Sequence, residues 1–218
     1  MKRKMLCMAA MGLIALGSYA QQTTTTVNAG RTTFGVRAGV NFQNITGNDA
    51  SDDELENDLA TGFHVGVNAE IPVGTGFYLQ PGVLYSTKGA NWSNGSKVKV
   101  NYLEVPVNFV YKPTLGTGNL LLGFGPYVAF GMGGKAEDAN GNVANVVFNN
   151  ELDVTEPDAQ FRPIDAGGNL LAGYEFGNKF SVQLNAQLGL VNINPETGAN
   201  DRARWRNTGW GLSLGYRF

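Results

Sequence analysis

The chain ends in the sequence NTGWGLSLGYRF, residues 207–218. From Trp210 to Phe218, every second side chain is aromatic or leucine, and glycine, serine and arginine stand between them. Side chains of a β-strand point alternately to its two faces, so this pattern predicts a strand with one apolar face and one small or polar face. The aromatic side chains of Trp210, Tyr216 and Phe218 lie toward the two ends of the apolar row.

Seven upstream segments show the same alternation with a period of two. These segments are residues 32–43, 61–71, 77–88, 97–111, 120–132, 164–176 and 180–190. Together with residues 207–218 they predict eight strands. We therefore expect an all-β fold, an eight-stranded antiparallel up-and-down transmembrane β-barrel.

The connections between these segments alternate in length. The long ones include residues 45–60 and 133–163, and the short ones include residues 72–76 and 177–179. Outer-membrane barrels have short periplasmic turns and longer outer loops, and an even number of strands places both termini on the same side. The alternation therefore predicts an outer-membrane barrel whose two termini are periplasmic.

The composition of the two rows favours a membrane barrel over a soluble one. The second row is mostly glycine, serine, asparagine and glutamine, as expected for a crowded polar interior, whereas a soluble barrel would carry lysine and glutamate outside. Aromatic residues stand near the ends of the apolar row, as in the girdles of membrane barrels. We expect Phe34, Phe77, Tyr111, Phe180 and Tyr216 at the inner level and Phe42, Phe63, Tyr85, Phe130 and Trp210 at the outer level.

The sequence patterns at both ends of the chain predict the same compartment, the bacterial outer membrane. A last amphipathic strand ending in phenylalanine is similar to the terminal signal of bacterial outer-membrane barrels, so we expect assembly machinery to recognise Trp210, Tyr216 and Phe218. At the other end, the basic residues 2–4 and the apolar residues 5–16 predict a signal peptide over residues 1–20. We expect a short periplasmic segment at 21–31 and the barrel domain at 32–218.

Cleavage after residue 20 would change the chemistry available to the mature chain. It removes Cys7, the only cysteine, and with it any disulfide or thiolate metal site. It also leaves 13 Lys and Arg against 18 Asp and Glu, a net charge of −5. A mildly acidic chain without a basic cluster predicts no nucleic-acid partner.

Six short strings resemble the PorT-like outer-membrane β-barrel family, in the family's order. They are YLEVPV at 102–107, GFGPY at 123–127, GGK at 133–135, DAG at 165–167, GYE at 173–175 and GLVNI at 189–193. The resemblance implies a small eight-stranded barrel without an assigned activity, and some members are linked to protein secretion. Residues 135–162 carry no pattern of this family.

Six charged residues fall on the predicted interior row. We expect Glu104, at mid-height, to pair with Arg37. We expect a second layer near the periplasmic end, formed by Glu70, Glu175 and Arg217. Asp165 is expected to join this polar network. One interpretation is a path for protons or ions. The other is a structural filling of salt bridges, which the narrow interior of an eight-stranded barrel favours.

Three other features suggest chemistry but lack the required spacing. His64 could serve a hydrolase together with Ser86 and Glu54, but no G-x-S-x-G motif is present. Residues 49–58 and 138–142 are acidic or amide-rich without the spacing of a calcium loop, which indicates solvated loops. We expect neither catalysis nor a cofactor or metal ion.

We therefore predict a monomeric, non-enzymatic barrel with a structural or interaction role. Its expected partners are outer-membrane lipid, the assembly machinery and a protein at the extracellular loops. The alternatives are a narrow transporter or ligand-binding barrel, and an accessory barrel of a protein-secretion system.

Overall fold

The computed structural model of the protein describes residues 30–196 and 202–218. Within these ranges no helix is long and apolar enough to cross a membrane. The predicted signal peptide and all but the last two residues of the predicted segment 21–31 lie outside them. The strands are β1 Thr33–Asn48, β2 Asn57–Gly74, β3 Phe77–Trp92, β4 Lys97–Tyr111, β5 Thr114–Leu115, β6 Gly118–Glu137, β7 Val143–Phe148, β8 Ala159–Phe161, β9 Ile164–Glu175, β10 Phe180–Gly189 and β11 Arg204–Arg217.

Eight of these strands form a closed antiparallel ring in chain order, β1, β2, β3, β4, β6, β9, β10 and β11. The first and last strands close it, in one unbroken register from Gly35 opposite Arg217 to Asn48 opposite Arg204. The predicted fold class is therefore confirmed. The short strands β5, β7 and β8 are attached to this ring through β6.

The outward-facing rows of the ring form an apolar belt. Leu214, Leu170 and Phe124 each expose 60% or more of their surface on the isolated chain, which is the surface that lipid would cover. Aromatic pairs border the belt at both ends. Phe180 and Tyr216 lie 4.9 Å apart (between ring centroids) at the end where β1 begins and β11 ends, which we call the inner end. Phe42 and Trp210 stack at 4.4 Å toward the opposite end, which we call the outer end.

At the outer end the strands run further than the sequence pattern predicts. Within β4 the side chains keep their alternation between the two faces, but the chemical pattern inverts. Val98 and Val100 are buried with Lys99 exposed, whereas from Leu103 onward apolar side chains face outward and Glu104 is buried. The inversion marks where the barrel leaves the apolar layer and meets water. We call the buried apolar residues of this part the outer cap; they are Ile45, Ala90, Val98, Val100, Tyr102, Tyr127, Ala129, Val146, Phe161 and Ile193.

The long connection 133–163 contributes to this cap. β6 extends into it as far as Glu137, β7 pairs with that extension, and β8 lies parallel to β7. Phe148 lies directly over Gly131, where even one added carbon atom would overlap its ring. Val146 and Phe161 are buried in the cap itself, so the connection packs into the outer ends of the strands. We call this part of the barrel, beyond the apolar belt, the outer extension.

Candidate functional site

Two groups of charged side chains lie inside the ring. The inner layer, near the inner aromatic level, consists of Glu70, Lys112, Glu175 and Arg217. Lys112 Nζ is 2.8 Å from Glu70 Oε1 and 2.9 Å from Glu175 Oε1. The Arg217 guanidinium lies 3.4 Å from Glu70 Oε2 and 3.5 Å from Glu175 Oε2. Each cation therefore contacts both carboxylates.

The outer layer consists of Lys88, Glu104 and Asp165, and all three side chains are fully or almost fully buried. Lys88 Nζ is 3.0 Å from Glu104 Oε2 and 3.2 Å from Asp165 Oδ2. It also lies 4.1 Å from the centroid of the Tyr127 ring, which adds a cation–π contact. Asn207 Nδ2 donates to Asp165 Oδ2 at 3.0 Å.

The expected pairing of Glu104 with Arg37 is wrong. The carboxylate of Glu104 instead contacts Lys88 and Gln187, and Gln187 Nε2 donates a hydrogen bond to Glu104 Oε1 at 2.6 Å. Arg37 Nη1 instead donates to Asn185 Oδ1 at 3.5 Å. Lys88 takes the position because a single ammonium there reaches both Glu104 and Asp165, which lie on different strands.

Lys88 and Lys112 are charged interior residues that were not among the six expected for the network. The expected set held two cations, Arg37 and Arg217, against four carboxylates. Buried charges are tolerated when they are paired, so this imbalance was itself a signal that two cations were missing. Both lysines continue an inward-facing row, and their inclusion makes the interior neutral.

The space between the two layers is almost filled. A cavity of about 20 Å³ lies beside Arg37, His64 and Glu104, with room for about one water molecule. A second cavity of about 10 Å³ lies beside Arg217. Neither cavity can accommodate a hydrated ion, so the arrangement is that of a plug.

His64 forms hydrogen bonds through both ring nitrogens. Its Nδ1 is 2.7 Å from Asn41 Oδ1 and its Nε2 is 2.7 Å from Ser213 Oγ. These distances suit a nucleophile, a base and an orienting amide. Ser213 is completely buried, however, and the adjoining cavity holds about one water, so a substrate has no room there.

The other two members of the hydrolase hypothesis have different contacts. Ser86 Oγ accepts a hydrogen bond from Asn41 Nδ2 at 3.1 Å. Glu54 is exposed, and its backbone forms an isolated antiparallel β-bridge with that of Asn48 at the outer end of the barrel. The trio of His64, Ser86 and Glu54 is therefore not assembled as a catalytic chain.

The two acidic loops use their carboxylates to hold turns. Asp49 Oδ1 accepts from the backbone N–H groups of Ser51 and Asp53. Hydrogen bonds from the side chain and backbone of Asn142 hold the pKa of the Asp138 carboxyl below its ordinary value. Across residues 30–196 and 202–218, no three His, Cys, Asp or Glu side chains are grouped to hold a metal ion.

The residues of the predicted C-terminal signal lie on the outer surface of the barrel. Trp210 stacks on Phe42, and Tyr216 contacts the rings of Phe180 and Phe218 at 4.9 and 5.4 Å. The backbone N–H of Phe218 donates to the carbonyl of Phe34 at 2.8 Å. The last residue is thereby attached to the first strand of the ring.

Residues 19–194 match the family described as outer membrane protein beta-barrel domain. The chain belongs to this family. An outer membrane β-barrel of this family is located in the bacterial outer membrane, which agrees with the apolar belt and its aromatic borders. No curated protein matches the sequence.

Solved structures provide two comparisons for this outer membrane barrel. Ail, the attachment invasion locus protein of Yersinia pestis, in complex with the heparin analogue sucrose octasulfate, is 13% identical, with a TM-score of 0.43. A major outer membrane protein from Thermus thermophilus is 15% identical, with a TM-score of 0.45. Each comparison covers 87% of this chain and 100% of the other.

Replacement of Lys88 tests the outer layer. Lys88→Met leaves Glu104 and Asp165 buried without their cation, which costs about 3–5 kcal/mol of unfolding free energy. We expect urea unfolding of the barrel in detergent, followed by heat-modifiable gel migration, to show this loss. Lys97→Met is the matched control, because Lys97 forms only an exposed pair with Glu137 at 4.0 Å. Equal stability of the two variants would contradict the role given to Lys88.

Proposed function

We propose that this outer membrane protein is a closed, non-conducting barrel without enzymatic activity, which presents structured extracellular loops to a partner. The observation that carries the proposal is the filled, charge-balanced interior. Four cations, Arg37, Lys88, Lys112 and Arg217, balance the carboxylates of Glu70, Glu104, Asp165 and Glu175. A path through the barrel would require these contacts to be broken.

The outer cap adds a second closure above the charged layers. It is apolar, and Tyr102 and Tyr127 belong both to it and to the surroundings of Lys88. An ion entering from the outer end would first meet this apolar cluster, where its desolvation is unfavourable. The charged layers and the apolar cap together support a structural or interaction role over transport.

The outer extension is suited to recognition of a protein. The strands continue beyond the apolar belt with polar side chains outside, and the connection 133–163 is folded against them. A rigid support of this kind lowers the entropic cost of binding a partner through its loops. In this proposal the barrel is a monomer, both termini are periplasmic, and β11 is recognised by the assembly machinery.

The resemblance to PorT-like barrels fits this proposal. The string at 102–107 supplies Tyr102 and Glu104, the string at 165–167 supplies Asp165, and the string at 173–175 supplies Glu175. These residues belong to the interior layers or to the cap, so the shared strings concern the plug more than the loops. A role as an accessory of protein secretion would therefore depend on the loops of this particular chain.

Conductance in a planar bilayer tests the closed state. We expect the purified, refolded barrel to show no steady open state at moderate voltage, because no continuous water path crosses the interior. Arg37→Ala, which removes a charge next to the 20 Å³ cavity, is expected to lower stability and still not conduct. A steady, reproducible open level in the unaltered protein would support the alternative of a narrow transporter.

The orientation is tested by an epitope inserted at two sites. Placed between Asp49 and Asp53, it is expected to be labelled by antibody on intact cells, because this turn lies at the outer end of β1 and β2. Placed in the turn at residues 177–179, it is expected to be labelled only after the outer membrane is opened. The reverse pattern would place the termini outside and overturn the proposed orientation.

A further inference from the structure

Two lysines face each other on the outer surface of the barrel. Lys99 of β4 is the direct register partner of Lys135 of β6, and both side chains are exposed. Among residues 30–196 and 202–218, neither forms an ion pair or hydrogen bond. The next outward-facing pair of the same ladder, Lys97 with Glu137, is an ordinary pair of opposite charges at 4.0 Å.

Like charges directly opposite each other on neighbouring strands destabilise a sheet. At 97 and 137 the chain has complementary charges on this ladder, whereas two residues closer to the membrane it has two cations. An anion between the two ammonium groups would convert the repulsion into two charge-assisted hydrogen bonds. The arrangement therefore suits a ligand with a phosphate group.

The surroundings of the pair indicate what the phosphate is attached to. Lys99 and Lys135 line one end of a groove of about 590 Å³ on the outside of the barrel. Thr87 and Asn101 lie in the groove, hydrogen-bonded to each other at 3.0 Å, one alternation closer to the belt. Phe63 and Tyr85 form its aromatic end, with ring centroids 5.7 Å apart.

The groove thus passes from the charged pair to the polar pair of Thr87 and Asn101 and then to an aromatic end on β2 and β3. At that end Tyr85 lies directly opposite Leu103 of the belt. A lipid at the outer membrane interface has the same order, with phosphate outermost, then its polar linkage, then acyl chains. Aromatic side chains such as Phe63 and Tyr85 are typical of this interface level. A free phosphate would use the lysines and leave the rest of the groove unoccupied.

We propose that the groove between Lys99 and Lys135 binds the phosphorylated headgroup of an anionic lipid. The assignment of this lipid to the outer leaflet rests on the orientation proposed above. The proposed binding chemistry does not depend on that orientation, because it follows from the charges of the groove and from its position beside the apolar belt.

Retention of lipid on the purified barrel tests the proposal. The full-length barrel is reconstituted in phosphatidylcholine with either bisphosphorylated lipid A or its dephosphorylated form, and bound lipid is counted by native mass spectrometry. Lys99→Gln with Lys135→Gln is expected to lower retention of the phosphorylated form by roughly fivefold for each lysine removed. Lys97→Gln, on the same face of the same strand, is the control and is expected to leave retention close to that of the unaltered protein.

A second measurement keeps folding separate from binding. In zwitterionic detergent without lipid, the double variant is expected to be at least as stable as the unaltered barrel, because its like-charge contact is gone. Addition of phosphorylated lipid A is expected to raise the unfolding midpoint of the unaltered barrel only. Equal retention by the double variant, an equal loss in Lys97→Gln, or the same stabilisation by inorganic phosphate alone would each overturn the proposal. None of these results bears on conductance or on the topology of the chain.

Discussion

In the hydrocarbon layer, every backbone N–H and C=O group needs a partner within the protein. A sheet meets this requirement only when its two edge strands pair with each other. Here β1 and β11 do so along their length, from Gly35 opposite Arg217 to Asn48 opposite Arg204. The alternation of side chains, the depth of the aromatic borders and the size of the interior all depend on this closure.

Closure with eight strands leaves an interior just wide enough for side chains. Charged groups placed there lose their hydration. A buried charge without a partner destabilises the fold by more than a buried ion pair stabilises it. The chain satisfies this condition with cations that each contact two carboxylates, Lys88 in the outer layer and Lys112 and Arg217 in the inner layer. The plug therefore follows from the small ring and from the need for neutrality. Interior polarity alone does not indicate transport.

Much of this architecture can be predicted from the sequence, because a period of two reports directly which face a residue occupies. The eight segments, their order and the closing strand all follow from that period. The outer ends of the strands do not, since the apolar row changes faces between Tyr102 and Leu103 and a search for one continuous pattern stops there. That change of chemical pattern lies at the outer edge of the apolar belt.

The contacts across the interior are harder to predict, since the period gives the face but not which side chain reaches which. Glu104 and Arg37 share the interior, yet Lys88 is the ion-pair partner of Glu104. The like-charged pair of Lys99 and Lys135 depends on an irregularity in β6, where the register shifts between Asn101 and Tyr102 of β4. Composition and periodicity do not reveal such a shift.

The closure of the ring by β1 and β11, in the register that pairs Gly35 with Arg217, is the feature on which the rest of the fold depends. It is tested most directly by oxidative cross-linking of a variant without Cys7 that carries Ala38→Cys and Leu214→Cys, two register partners on the lipid face. Opposed residues of an antiparallel pair have Cα atoms about 4.5–5.5 Å apart, a separation that a disulfide can span. We expect an intramolecular disulfide in the folded barrel, and none when Ala38→Cys is combined with Leu212→Cys, the partner of Val40. A disulfide in the second combination and not in the first would contradict the register, and no disulfide in either would contradict the closure.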